Sequence, residues 1–231
     1  MGTPELKDAP RPAWYALRRG RARDWVTVLH PPYTLWHLSY VALGAALAPH
    51  FHTNRLVAAL VAFFLALGIA AHLLDEVSGR PLGTGIPERA LIAAAVASLA
   101  GAVAIGVAAA VAWGYGLLVF VAVGALLVPA YNLEWFGGRI HTDLGFALAW
   151  GAFPVLTAYY VEAQTLRVEA VLAAAYATAA SLMQRTLSTT ARRARRLHGT
   201  PEEATAAERA LRLGTIAAVC VAAAAVVARL R

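Results

Sequence analysis

The sequence predicts an all-α membrane protein, a polytopic transmembrane bundle of about seven spans. Three observations lead there. Of 231 residues, 60% are hydrophobic and 14% are charged, against roughly 25% charged in an average soluble domain. The apolar runs reach the roughly 17–25 residues that a helix needs to cross ~30 Å of hydrocarbon. No stretch alternates apolar and polar residues as a half-buried strand does. The net charge of +7 comes almost wholly from arginine, Lys7 being the one lysine. In a bilayer protein such charge is read first by its placement, so no nucleic-acid partner is expected. Cys220, the single cysteine, sits inside an apolar run; this gives no disulfide framework and a thiol expected to pack.

Residues 1–24 form a basic N-terminal segment, polar and proline-interrupted, with Arg18, Arg19, Arg21 and Arg23 clustered. It lacks the apolar core of a signal peptide and is expected to be retained. Residues 25–231 are the bundle domain. An amphipathic stretch, Trp25–Pro32, leads into the first span, about Tyr33–Ala48. Pro49, His50, His52 and Asn54 make a short turn before the second span, about Leu56–Leu74. A Gly/Pro-rich loop then runs to Pro87. The third span, about Ala90–Ala112, turns through Gly114 and Gly116 into the fourth, about Leu117–Ala130. A polar loop, Tyr131–Asp143, precedes the fifth span, about Leu144–Val161, with Thr142 or Asp143 suited to the N-cap. The sixth covers about Val168–Met183. Arg185–Arg212 is partly helical by its Ala/Glu/Arg content, and Thr200 and Glu203 have capping-box spacing. The seventh span is about Leu213–Ala228. Gly44, Gly68, Gly101 and Gly106, among many alanines, fit close helix packing.

The arginines orient these spans. With the N-terminus inside, the inner segments hold Arg18, Arg19, Arg21, Arg23, Arg80, Arg139, Arg185, Arg192, Arg193, Arg195 and Arg196. Only Arg55, Arg167, Arg229 and Arg231 face out. The positive-inside rule therefore predicts a multi-pass protein of the cell membrane with a cytoplasmic N-terminus. It also predicts that the loops after His72, Tyr131 and Arg185 share the cytoplasmic face and build one site.

His72, Asp75 and Glu76 end the second span, and their spacings of three and four place them on one helical face. Charged groups at the mouth of a membrane helix usually face a cavity. These three are metal-capable, and with His141 or Glu134 from a facing loop they suit iron, manganese or zinc. Plainer readings of the same residues stay open. Asp75 and Glu76 pair with Arg80 or Arg89, His72 is a hydrogen-bonded core histidine, Glu134 pairs with Arg139, and the Arg192–Arg196 cluster sets topology or touches anionic lipid. Trp36, Trp113, Trp135 and Trp150 are expected as interfacial anchors or packing.

Three stretches carry a resemblance. HPPYTLWHLSYVALGAALA at His30–Ala48 resembles the first helix of the UbiA superfamily of intramembrane prenyltransferases. AHLLDEVSGRP at Ala71–Pro81, followed by Ile86-Pro87, is similar to the end of that family's second helix, where an aspartate-rich motif precedes Arg-Pro and Ile-Pro. YNLEWFGGRIHTDLGFALAWGAFPVLTAYYV at Tyr131–Val161 resembles its tyrosine and Gly-rich loop before a helix with Gly-x-x-Pro and Tyr-Tyr. Asp75 keeps a motif carboxylate. Gly79 stands at another motif aspartate, and QRTLSTTARR stands where a second aspartate-rich motif belongs.

The resemblance implies a divergent UbiA-like prenyltransferase or related isoprenoid-diphosphate enzyme, with the isoprenoid chain inside the bundle. It implies Mg²⁺ at Asp75, Glu76 and His72, with Asp75 and Glu76 catalytic. The diphosphate would meet Arg80, Arg139, Arg185 and Arg192, since guanidinium forks bind phosphate directly. Two other readings remain: a non-catalytic isoprenoid-binding or scaffold membrane protein, and a His/carboxylate transition-metal membrane enzyme.

Overall fold

The computed structural model describes residues 12–17, 20–196 and 200–231. Lys7, Arg18 and Arg19 lie outside the described residues, as do the side chains of Arg21 and Arg196. A short helix, α1 (Arg21–Val28), precedes the long ones, burying Asp24, Thr27 and Val28 and exposing Trp25 and Val26. Pro31 and Pro32 then occupy the first turn of α2 (Pro31–Leu47), where a missing N–H costs nothing and a fixed φ favours the helix. α3 (Thr53–Val77) is α-helical to Phe63, π-helical over Phe64–Ala71, and α-helical again from His72. α4 (Glu88–Trp113) turns at Gly114, whose φ of 146° a side chain rarely adopts. α5 (Leu117–Asn132) follows. α6 (Asp143–Ala163) starts with Thr142 Oγ1 accepting from the Gly145 N–H at 2.9 Å and carries a second π-helical turn at Leu148–Ala152. α7 (Val168–Arg196) and α8 (Pro201–Arg229) complete the described fold.

Each of the apolar segments expected from the sequence lies within one of α2–α8. The Arg-rich segment is helical, as its Ala, Glu and Arg content led one to expect, on both sides of residues 197–199. It is the continuation of α7 to Arg196 and the start of α8, two overhangs joined by the Arg195 Nε–Glu208 Oε1 ion pair at 2.5 Å. Ala, Glu and Arg are strong helix formers, so nothing in the segment stops α7 early. The expected cap is present: Thr200 Oγ1 accepts from the Glu203 N–H at 3.2 Å.

α3, α4, α6 and α8 are long and apolar enough to cross a membrane, and α5 is a shorter apolar helix. Only 17% of the α4 span and 22% of the α8 span is buried inside the protein. Apolar faces of that extent, with Val96, Val111 and Ile216 exposed, belong against lipid. Cys220 is also exposed on α8 rather than packed.

Small residues set the helix spacing. A Cβ on Gly44 would overlap the Val155 carbonyl oxygen of α6, and one on Gly151 would lie 2.6 Å from the Ala177 oxygen of α7. The α2–α6 and α6–α7 contacts are therefore backbone approaches that larger residues cannot make. Gly44→Val is expected to lower stability by about 1–3 kcal/mol, measured as the thermal midpoint in detergent. Gly101→Ala, which meets only the Leu65 side chain at 3.3 Å, is the control expected to change little.

At the end of the bundle where α3 begins, the arginines expected to face out are used structurally. Arg55 Nη1 donates to the Val161 and Glu162 carbonyls at 3.0 and 3.1 Å, and the His52 N–H and ring nitrogen meet Glu162 Oε2 at 2.9 and 3.0 Å. Arg229 donates to the Ala48 and Pro49 carbonyls, both at 3.0 Å.

Candidate functional site

Where α2, α6 and α8 begin and α3, α5 and α7 end, the helices leave a cavity of about 300 Å³. The loops expected to share one face do meet here. Residues 12–17 of the N-terminal segment reach the same place. Trp14 and Tyr15 line the cavity, Arg212 of α8 sits 4.8 Å over the Trp14 ring, and the Leu17 N–H is held by Thr27 Oγ1 at 3.0 Å.

The cavity walls are rings. Tyr15 Oη meets His30 Nδ1 at 2.6 Å, and the His30 ring stacks on His72 at 4.4 Å. Burial, reinforced by His72 and Arg192, lowers the pKa of His30 well below the usual histidine range. Burial likewise raises Tyr15 well above an ordinary phenol, so this pair is a contact between neutral groups. On the opposite wall the Tyr131 ring stacks on His141 at 4.5 Å and meets Trp150 edge-on at 5.5 Å. His37 Nδ1 donates to the Trp150 carbonyl at 2.8 Å and His141 Nδ1 to the Tyr131 carbonyl at 3.0 Å. Those bonds fix each ring's orientation and, in the neutral ring, leave Nε2 as the acceptor.

The two π-helical turns serve this wall. Each adds a residue to a helical turn, which re-aims the segment that follows. One ends immediately before His72, and the other contains Trp150, so both lead straight into the cavity.

Charge is concentrated at one side. Asp75 lines the cavity with Arg185 and Arg192 of α7, and Arg192, His141 and Arg185 all act on its carboxylate. Arg185 Nε donates to Asp143 Oδ1 at 2.8 Å while its guanidinium lies 5.2 Å over Phe146. Gln184, Ser188, Arg192 and Arg195 face the cavity along one stripe of α7, as spacings of three and four require.

Several site residues expected from the sequence lie elsewhere. Glu76 turns away from the cavity: Oε1 accepts from the Thr84 N–H and hydroxyl, both at 2.8 Å, and Oε2 from the Leu82 N–H at 3.0 Å. Successive helical residues point about 100° apart, so Asp75 and Glu76 cannot both face inward. Arg80, with φ of 52°, spends its guanidinium on the Thr84 and Ile86 carbonyls at 3.1 and 2.8 Å. These bonds stitch the 78–87 loop to itself, and Asp24 Oδ2 clips it to α1 by accepting from the Gly85 N–H at 2.9 Å. Arg139 is exposed on its loop and does not line the cavity. His72 Nδ1 donates to the Gly68 carbonyl at 3.2 Å, the plainer of its two readings. Glu134 approaches His141 at 3.9 Å rather than pairing with Arg139.

The expected His72–Asp75–Glu76 ligand set therefore does not form. Among the described residues no three His, Cys, Asp or Glu side chains converge as metal ligands. Asp75, the cavity-lining carboxylate without an ion pair among the described residues, shares the cavity with Arg185 and Arg192, whose charge opposes a dication. One such carboxylate beside two guanidinium groups does not fit a Mg²⁺ held by several carboxylates.

Sequence reasoning missed Tyr15, His30, His37, Tyr131 and Gln184. A signal existed for some of them: His30, Tyr33 and His37 recur at helical spacing, as do Gln184, Ser188, Arg192 and Arg195. Compared with family models, with curated proteins and with solved structures, the chain matches none.

Proposed function

We propose that the protein is a membrane enzyme acting on an isoprenoid diphosphate. The observation that carries this reading is one cavity lined by Arg185, Arg192 and Asp75 and by the aromatic rings of Tyr131, Trp150 and Phe146. An amphipathic anion with an unsaturated chain matches that division. Guanidinium groups receive the diphosphate, and ring faces stabilise positive charge. The UbiA-like stretches at His30–Ala48, Ala71–Pro81 and Tyr131–Val161 support the same reading.

The first step breaks the bond between the allylic carbon and the diphosphate oxygen. Its electron pair leaves with the diphosphate, held by Arg185 and Arg192, and an allylic cation remains beside the rings. Asp75 opposes the developing positive charge and is the base within reach for a released proton. Prenyl transfer, cyclisation and elimination all begin this way. The test is release of inorganic diphosphate from geranylgeranyl diphosphate by purified protein. Enzyme-dependent release supports the reading; bound but unreleased diphosphate would make the protein a carrier of isoprenoid lipid instead.

In this reading α2–α8 all cross the bilayer, in a UbiA-like arrangement with the cavity toward the cytoplasm and the N-terminus inside. Support comes from the arginine placement, crowded at the cavity end. A reporter fused after Arg231 is expected outside the membrane and one fused before Met1 inside. The same side for both would exclude an odd number of crossings.

A further inference from the structure

We propose that the cavity grips the phosphate oxygens of its ligand directly, through N–H and O–H donors, without a divalent cation. This rests on the reading of the cavity as a diphosphate site and names how that site balances charge. Two buried polar side chains lining the cavity have groups without a hydrogen-bond partner: the Tyr131 hydroxyl and both amide atoms of Gln184. Gln184 is only 2% exposed. A buried donor left unmade is costly. With the Tyr15 hydroxyl donating to His30 Nδ1, the buried and unpartnered His30 Nε2 carries the ring proton and adds a further donor. Donors from three parts of the chain, at His30, Tyr131 and Gln184, call for a ligand rich in acceptor oxygens.

The charges agree. Arg192 lines the cavity and has no ion-pair partner among the described residues. Arg185 is paired with Asp143, but that carboxylate is 73% exposed, so water replaces the guanidinium at small cost and Arg185 can swing to the ligand. The carboxylates that would hold a metal are committed: Glu76 to the 78–87 loop and Glu208 to Arg195. Asp75 alone remains.

The experiment is calorimetric titration of the full chain in detergent with inorganic diphosphate, once in EDTA and once in Mg²⁺. The dissociation constants are expected to agree within about threefold. Arg192→Gln is expected to weaken binding at least about tenfold, through loss of a charge-assisted contact. Gln184→Leu is expected to weaken binding several-fold while raising the thermal midpoint, because it removes unpaired buried polar atoms; a purely structural glutamine would lower the midpoint instead. Binding that disappears in EDTA, or that survives Arg192→Gln undiminished, overturns the proposal. Geranylgeranyl diphosphate binding only with Mg²⁺ would overturn it and leave the isoprenoid-diphosphate reading standing. Failure of both probes in both conditions removes the two together.

Discussion

Asp75→Asn is expected to reduce turnover of a prenyl diphosphate by at least about a hundredfold and to leave the helical fold intact. Asp75 is the one cavity carboxylate without a structural hydrogen-bonding task, and it works against Arg185, Arg192 and His141. Asparagine keeps its shape and removes its charge, so the loss reads out the carboxylate's electrostatic role in the transition state. Diphosphate-release rates and thermal midpoints of both proteins check this together. Wild-type turnover in the variant would remove Asp75 from the chemistry.

The adjacent acid is expected to behave in the opposite way. Glu76→Ala leaves the Leu82 and Thr84 N–H groups and the Thr84 hydroxyl without their acceptor. Glu76 is 1% exposed, so water cannot readily replace it, and a loss of roughly 3 kcal/mol or more follows from unpaired buried donors. The consequence is a frayed 78–87 loop and a much lower thermal midpoint. Glu76→Gln keeps one acceptor oxygen but turns its NH₂ toward a donor, so an intermediate loss is expected. A stable Glu76→Ala protein that binds ligand normally but does not turn it over would return Glu76 to catalysis. Neighbouring carboxylates with opposite phenotypes, one lost in rate and one lost in stability, distinguish the cavity from its scaffold.

Much of the bundle was legible because its cause is local. Apolar length, Pro31-Pro32, Gly114 and the Thr200 cap each act within a turn of themselves, and the long helices lie where those signals put them. The helical character of the Arg185–Arg212 segment was legible from its Ala, Glu and Arg content, but that it continues α7 and opens α8 was not. The site was less legible. The sequence pattern put Asp75 and Glu76 on one face, but a carboxylate goes where its donors are, and Leu82 and Thr84 arrive from a loop. Arg80 was similarly claimed by carbonyls that only the folded loop presents. The π-helical turns before His72 and through Trp150 leave no periodic trace, since one additional residue per turn is a packing outcome. Gln184 gains meaning only when its amide is seen to lack a partner.

The most direct measurement is calorimetric binding of geranylgeranyl diphosphate to the purified chain, compared with the Arg192→Gln variant. The account expects saturable one-to-one binding to the wild type, weakened at least about tenfold in the variant. Absence of saturable binding, or equal binding by both proteins, would contradict the assignment of this cavity to an isoprenoid diphosphate.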